Sequence, residues 1–527
     1  MNAQPVAPDS FQVFDTTLRD GAQQEGLRLT VADKLRIAGL LDELGVGFIE
    51  GGWPGANPND TAFFAAAAAG DLRLDNATLV AFGATRKAGG SAASDPLVRA
   101  LLDARTSTVC LVAKSHDEHV FRALQTTLAE NIEMVRDTVS FLVAEGRRVF
   151  VDCEHFFDGY KANAAYALEV VRTAAEAGAE VVVLCDTNGG MLPGRMGDIV
   201  SAAGSIGVEL GVHCHNDTGC AVANTLAAVE AGVTHVQGTV NGHGERTGNA
   251  DIIQIMANLQ LKLGWDVVAP ERLAEATRIA NAIAAVTNIP ISARAPYVGH
   301  SAFAHKAGLH ASAIKVDANL YQHTDPQSVG NDMRMLVSDM AGRANIQLKG
   351  GELGYDLSDR TLAAEVTDLV KQREMDGYSY ESADASFELL LREHLGLAKP
   401  DFEVEQWRVL TQHAPSADGD NSEATLKVRA GDSVTKLVGE GNGPLNALDV
   451  ALRSSLAATF PQVNDFELID YRVRILESSH GTGAIVRTLI DTTDGNRTWT
   501  TVGVGTNVIE ASCEALFDAY TWGLLER

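Results

Sequence analysis

Short apolar runs alternate with amphipathic stretches from Phe11 to about Leu263. QVFDTTL, GFIEGGW, ATLVAFG, STVCLVAK, RVFVDCEHF, EVVVLCDT, ELGVHCHND and THVQGTV read as strands. Between them, stretches such as TVADKLRIAGLLDELG and NAAYALEVVRTAAEAG repeat apolar residues at helical intervals, and several close on a glycine suited to a C-cap. Near-continuous apolar strands, each followed by a helix, predict a parallel sheet covered by helices. Eight such units in roughly 250 residues predict a (β/α)8 TIM barrel in an α/β chain. A doubly wound open sheet is the alternative, but TTLRDGAQ after the first strand is not a phosphate-binding glycine loop.

The pattern divides the chain into three. Residues 9–275 are the expected catalytic barrel, and 276–400 a less periodic helical linker region. Residues 401–527 form an α+β module in which strands, a glycine-rich turn (VGEGNGPLNAL or VGVGTNVIEAS) and a helix occur twice. Gly439, Gly441 and Gly443 in one half match Gly503 and Gly505 in the other. Two readings of these glycines stand: tight turns, or amides exposed at a helix N-terminus that favour a carboxylate ligand.

Composition narrows the functional classes. With 42 Lys+Arg against 69 Asp+Glu, a formal charge of −27, nucleic acid is not the expected partner. No apolar run is long enough to span a bilayer, and the opening MNAQPVAPDSF lacks the pattern of a secretory signal. The six scattered cysteines form no CxxC pair and suit a reducing cytoplasm.

Candidate chemistry gathers at the strand ends, where a barrel of this kind holds its active site. His213 and His215 in VHCHND lie two apart, so in a strand both side chains share one face. They are either a ligand pair or buried structural histidines. The strand-end residues Arg19 and Asp20, Glu50, Glu154, Asp186 and Thr187, Asp217 and Asn249 join them. Closure makes strands 7, 8 and 1 neighbours, so Asp20, the histidine pair and Asn249 can converge on zinc, manganese, magnesium or cobalt. An ion with open positions could chelate a 2-oxo acid and polarise its ketone. Arg19 would stabilise the oxyanion formed there, or simply pair with Asp20 or Glu50. Glu50 and Asp186 suit structural roles as well as substrate contact. Glu154, followed by His155, is a general acid–base candidate or an ion-pair partner.

Together DTTLRDGAQ, FIEGGWPG, CDTNGG, HCHND, NGHGERTGN and FAHKAGLH closely resemble the DRE-TIM metallolyase superfamily. The resemblance is to its branch of 2-isopropylmalate, homocitrate and citramalate synthases. It covers nearly the whole chain, including a terminal module like the LeuA-type regulatory domain. CEHFFDGYKAN and GLHASA are most similar to the longer citramalate synthases. The resemblance implies condensation of acetyl-CoA with pyruvate, metal ligands Asp20, His213, His215 and Asn249, and catalytic Arg19 and Glu154. It implies that Thr187, with Arg19 and Glu50, binds substrate. His310 as base, with Tyr321 beside it, would come from the partner subunit of a homodimer, with His305 as the competing histidine. It further implies a place in isoleucine biosynthesis, with isoleucine as effector. The competing functions are a synthase using 2-oxoisovalerate or 2-oxoglutarate, an HMG-CoA-type lyase, and a metabolite sensor without catalysis.

Overall fold

A computed structural model of the chain describes residues 11–338, 340, 342–400, 402–412, 421–476, 481 and 483–525. The expected barrel start at residue 9 lies outside the described residues. The eight apolar runs form parallel strands β1 (Gln12–Asp15), β2 (Phe48–Gly52), β3 (Thr78–Ala84), β4 (Thr108–Lys114), β5 (Arg148–Glu154), β6 (Val181–Asp186), β7 (Glu209–Cys214) and β8 (His235–Gly238). They close in chain order, with β8 pairing β1 in the register Phe14–Gln237, so the sheet is the expected TIM barrel. Local chemistry sets the helix ends. Thr30 and Asp33 make a capping box at the start of helix Val31–Leu44, and Gly45 ends it at φ 92°.

Inward-facing positions recur every second residue along each strand. Low in the barrel that face is aromatic: Phe14, Phe48, Phe150 and His235 pack with ring centroids between 5.1 and 6.3 Å apart. Two residues further along β2, β5 and β8 the same face becomes polar, with Glu50, Asp152 and Gln237 all buried. The lower half is thus filled, and polar groups concentrate toward the C-terminal mouth.

The described residues up to Phe303, with Thr324–Asp332, make one compact unit; Ala304–His323 and the residues from Met333 onward make a second. The second unit opens with the two-residue strands β9 (Ala304–His305) and β10 (Arg334–Met335), and includes helices Gly308–Ile314, Arg343–Glu352, Arg360–Met375 and Asp384–His394. Then one motif occurs twice. Antiparallel β11 (Phe402–Gln412), β12 (Asn421–Ala430) and β13 (Ser433–Gly441) precede helix Pro444–Leu456. Antiparallel β14 (Glu467–Ile475), β15 (Val486–Thr493) and β16 (Thr498–Gly505) precede helix Val508–Gly523.

The repeated glycines have a packing role. A Cβ on Gly439 would lie 2.4 Å from the Ala447 carbonyl oxygen, and one on Gly503 would lie 2.0 Å from that of Ala511. In each half the helix seats directly on its sheet. Gly439 and Gly503 also lie within the paired strands β13 and β16 and not at a helix N-terminus, which corrects the reading of these two as presenters of free amides. At the start of the second helix Asn507 accepts from the Ile509 N–H at 2.8 Å, an N-cap that uses one of the first-turn donors. Ala385 and Leu389 of the linker region share a core with Leu448, Trp499 and Tyr520 of the module. Among the described residues no helix is long and apolar enough to cross a membrane.

Candidate metal centre and active site

The turn after β1 brings Asp20 to the ends of β7 and β8. Its Oδ2 is 3.1 Å from His213 Nε2 and 3.5 Å from His215 Nε2. One ligand atom from each of these three buried residues lies within 4.8 Å of the others. Asn249 is bridged to His215 through the backbone, and its Nδ2 donates to the His243 carbonyl at 3.0 Å. Its Oδ1 is buried without a hydrogen-bond partner. A carboxylate and two imidazole nitrogens this close are a donor set that fits a divalent ion, and the orphaned Asn249 oxygen is a further candidate donor on the segment bridged to His215. Burial alone would raise the Asp20 pKa, but Arg19, His213 and His215 hold it well below the usual carboxylate range.

Arg19 Nε donates to Glu50 Oε2 at 2.6 Å, and its Nη1 is 3.5 Å from Asp20 Oδ2. The guanidinium carbon stands 3.9 Å from the centre of the Phe82 ring. Thr16 Oγ1 donates to the same Glu50 oxygen at 2.6 Å. Burial works against the Arg19 charge, but Glu50, Asp20 and Asp152 together raise its pKa above the ordinary value. The guanidinium is therefore charged and fixed between two carboxylates, beside the donor set. The ion pairs expected of Arg19 with Glu50 and Asp20 are both present, and the one with Glu50 orients the guanidinium.

Arg19, Asp20, His213 and His215 line a cavity of about 240 Å³ whose wall also includes Trp53, Phe82, Val112, Glu154 and Thr187. Glu154 pairs with Lys114, and Thr187 Oγ1 accepts from the His155 N–H at 2.8 Å. Asp186 accepts from the Gly190 and Met191 N–H groups at 3.1 and 3.0 Å, and so organises the turn after β6. Asp217 pairs with Arg246 at 2.8 Å. Arg246 also donates to the Thr187 carbonyl at 2.8 Å and lies 3.0 Å from His215 Nδ1.

His310 and Tyr321 belong to the second unit, where their rings stack with centroids 4.1 Å apart. His305 is 6.2 Å from His310, and burial first and His310 second lower its pKa. The sequence reading passed over Lys114, Asp152, Gln237 and Arg246. A signal for two of them was present: Asp152 and Gln237 are polar residues inside otherwise apolar strands, where an unpaired polar group is costly.

Comparison with known proteins covers nearly the whole chain. Residues 10–283 match the HMGL-like family, 297–376 the homocitrate synthase post-HMGL domain-like family, and 381–523 the LeuA allosteric (dimerisation) domain. The chain is 61% identical to an (R)-citramalate synthase of Streptomyces coelicolor, over 100% of this chain and 98% of that one. It is 46% identical to an (R)-citramalate synthase of Synechocystis, over 98% and 96%. A 2-isopropylmalate synthase of Pyrococcus furiosus is 30% identical, over 97% and 98%.

Proposed function

We infer the activity from one premise: the chain belongs to the HMGL-like enzymes, within the group of the (R)-citramalate synthases. It condenses acetyl-CoA with pyruvate, and hydrolysis of the thioester then gives citramalate and free CoA. The observation that carries this reading is the donor set of Asp20, His213 and His215 beside Arg19, inside a cavity sized for a small acid.

Asp20, His213, His215 and Asn249 would hold a divalent ion (Mn, Mg, Zn or Co), which when bound supplies Lewis acidity toward the keto oxygen. Arg19, oriented by Glu50, offers its fixed charge to the alkoxide that forms as the new C–C bond closes. Thr187 holds the pyruvate carboxylate. His310 takes the methyl proton of acetyl-CoA, with Tyr321 stacked on it to limit ring rotation. Glu154 relays protons at the mouth. His310 and Tyr321 come to the barrel from the partner subunit of a homodimer, a reading supported by the match to a dimerisation domain.

The product feeds isoleucine biosynthesis in the cytoplasm, and the chain is feedback-regulated by isoleucine. Supporting an effector site, an apolar-walled cavity of about 550 Å³ in the doubled module is lined by Leu448, Leu468, Ile509 and Ser512.

The test is release of free thiol from acetyl-CoA across pyruvate, 2-oxoisovalerate and 2-oxoglutarate, with and without chelator. Turnover with pyruvate that stops on chelation and returns with metal is expected. Preference for either larger acid moves the chain to a sister synthase, and ligand binding without thiol release makes it a sensor.

A further inference from the structure

Gln237 is the register partner of His213 across β7 and β8, and it is fully buried in the barrel. Its Oε1 is 2.8 Å from His213 Nδ1, and its Nε2 donates to Asp152 Oδ1 at 3.0 Å. Asp152 comes from β5, on the other side of the barrel interior. Its carboxylate can only accept, so the amide must turn its NH2 end toward Asp152. The oxygen end then faces His213, whose Nδ1 must carry the hydrogen. With Nδ1 kept protonated, Nε2, the atom 3.1 Å from Asp20, is the nitrogen left to give its lone pair to an ion. A chain of three side chains thus sets which nitrogen of His213 is free to bind an ion.

We propose that Gln237, held by Asp152, is a positioning residue that fixes the ligating tautomer and ring plane of His213. The inference rests on the metal reading of the Asp20–His213–His215 cluster. Neither residue touches a substrate atom in this role; both act through His213. Groups that orient a ligating imidazole in this way typically contribute ten- to a hundredfold in metal affinity.

The experiment titrates metal-stripped full-length protein with Mn2+ at about pH 8, where carboxylates are ionised, reading free Mn2+ by electron paramagnetic resonance. Wild type, His213→Ala, Gln237→Leu, and the double variant Gln237→Glu with Asp152→Asn are compared. Gln237→Leu, close in volume, is expected to weaken Mn2+ binding by about ten- to a hundredfold. The double variant exchanges acceptor and donor ends while keeping an acceptor for His213 Nδ1–H, and is expected to bind within about threefold of wild type, less than the smallest loss expected of Gln237→Leu. Equal affinity of Gln237→Leu and wild type overturns the proposal while leaving the metal reading intact. Equal loss in both Gln237 variants assigns Gln237 to packing and also overturns it. If wild type and His213→Ala bind Mn2+ alike, the metal reading itself fails and the proposal with it. Should Gln237→Leu not fold, Gln237→Met, of similar length and without an amide, takes its place with the same expected loss and the same overturning outcomes.

Discussion

Arg19 and Glu50 join the ends of β1 and β2 through a contact of 2.6 Å, with the guanidinium lying over the Phe82 ring. The pair leaves one edge of the guanidinium toward Asp20 and the cavity. Arg19→Lys keeps the charge but loses the planar fork that Glu50 and Phe82 hold in place. A fall in kcat of roughly a hundredfold or more is expected, the scale of losing one oxyanion donor. A change confined to KM would limit Arg19 to substrate binding.

His213→Ala and His215→Ala should each remove bound metal and activity while leaving the barrel folded, because both side chains cluster with Asp20 at the mouth, above the aromatic layer. Metal content by mass spectrometry and far-ultraviolet circular dichroism separate the two effects. Normal turnover of either variant after chelation and metal return contradicts the assignment.

Val112 lines the cavity with Phe82 and Trp53, and Val112→Ala enlarges it without touching Arg19 or the donor set. The ratio of kcat/KM for 2-oxobutanoate over pyruvate should rise by about tenfold or more, the usual worth of a methylene in an apolar pocket. An unchanged ratio would place the keto-acid side chain against another wall.

Ile509→Trp fills the cavity of the doubled module and should abolish isoleucine inhibition with kcat little changed. This point change is a cleaner test than ending the chain near Lys399. Truncation would strip Glu388 of the Trp522 indole, a 2.8 Å hydrogen bond, and open the core that Leu389 shares with Trp499. Inhibition that persists in Ile509→Trp would point to binding elsewhere. Two sites must differ before regulation is a coupling between them.

Asp518 accepts from Ser386 at 3.1 Å, and its pKa is pushed up to about 7, by burial first and then by Glu514. The unfolded value is near the ordinary ~4. Between these two values the folded chain binds the extra proton, so Asp518 lowers stability progressively as pH rises from about 4 to about 7. Asp518→Asn removes that loss and keeps an acceptor for Ser386. Its urea midpoint should exceed that of wild type above neutrality, and the difference should shrink toward acid. A constant difference across pH would mean that Asp518 does not titrate in this window.

Much of the barrel was legible along the chain because a buried strand and an amphipathic helix each carry their period in local sequence. The same periodicity put His213, near the end of β7, and His215, just past it, toward one ligand cluster, and strand order alone made β7, β8 and β1 neighbours. What closure added could not be read locally. Gln237 and Asp152 are 85 positions apart, and their bond exists only because β5 and β8 face each other across a filled interior. The repeated glycines show the same limit. Sequence marked Gly439 and Gly503 as equivalent, but only the helix lying on each sheet showed that the missing Cβ makes room for the Ala447 and Ala511 carbonyls. The sequence by itself determined the elements, their order and the residues able to bind a metal, because these follow from short-range periodicity and side-chain chemistry. Tertiary structure decided which polar groups meet, since desolvation inside the barrel forces each buried donor or acceptor to find a partner that chain distance does not predict.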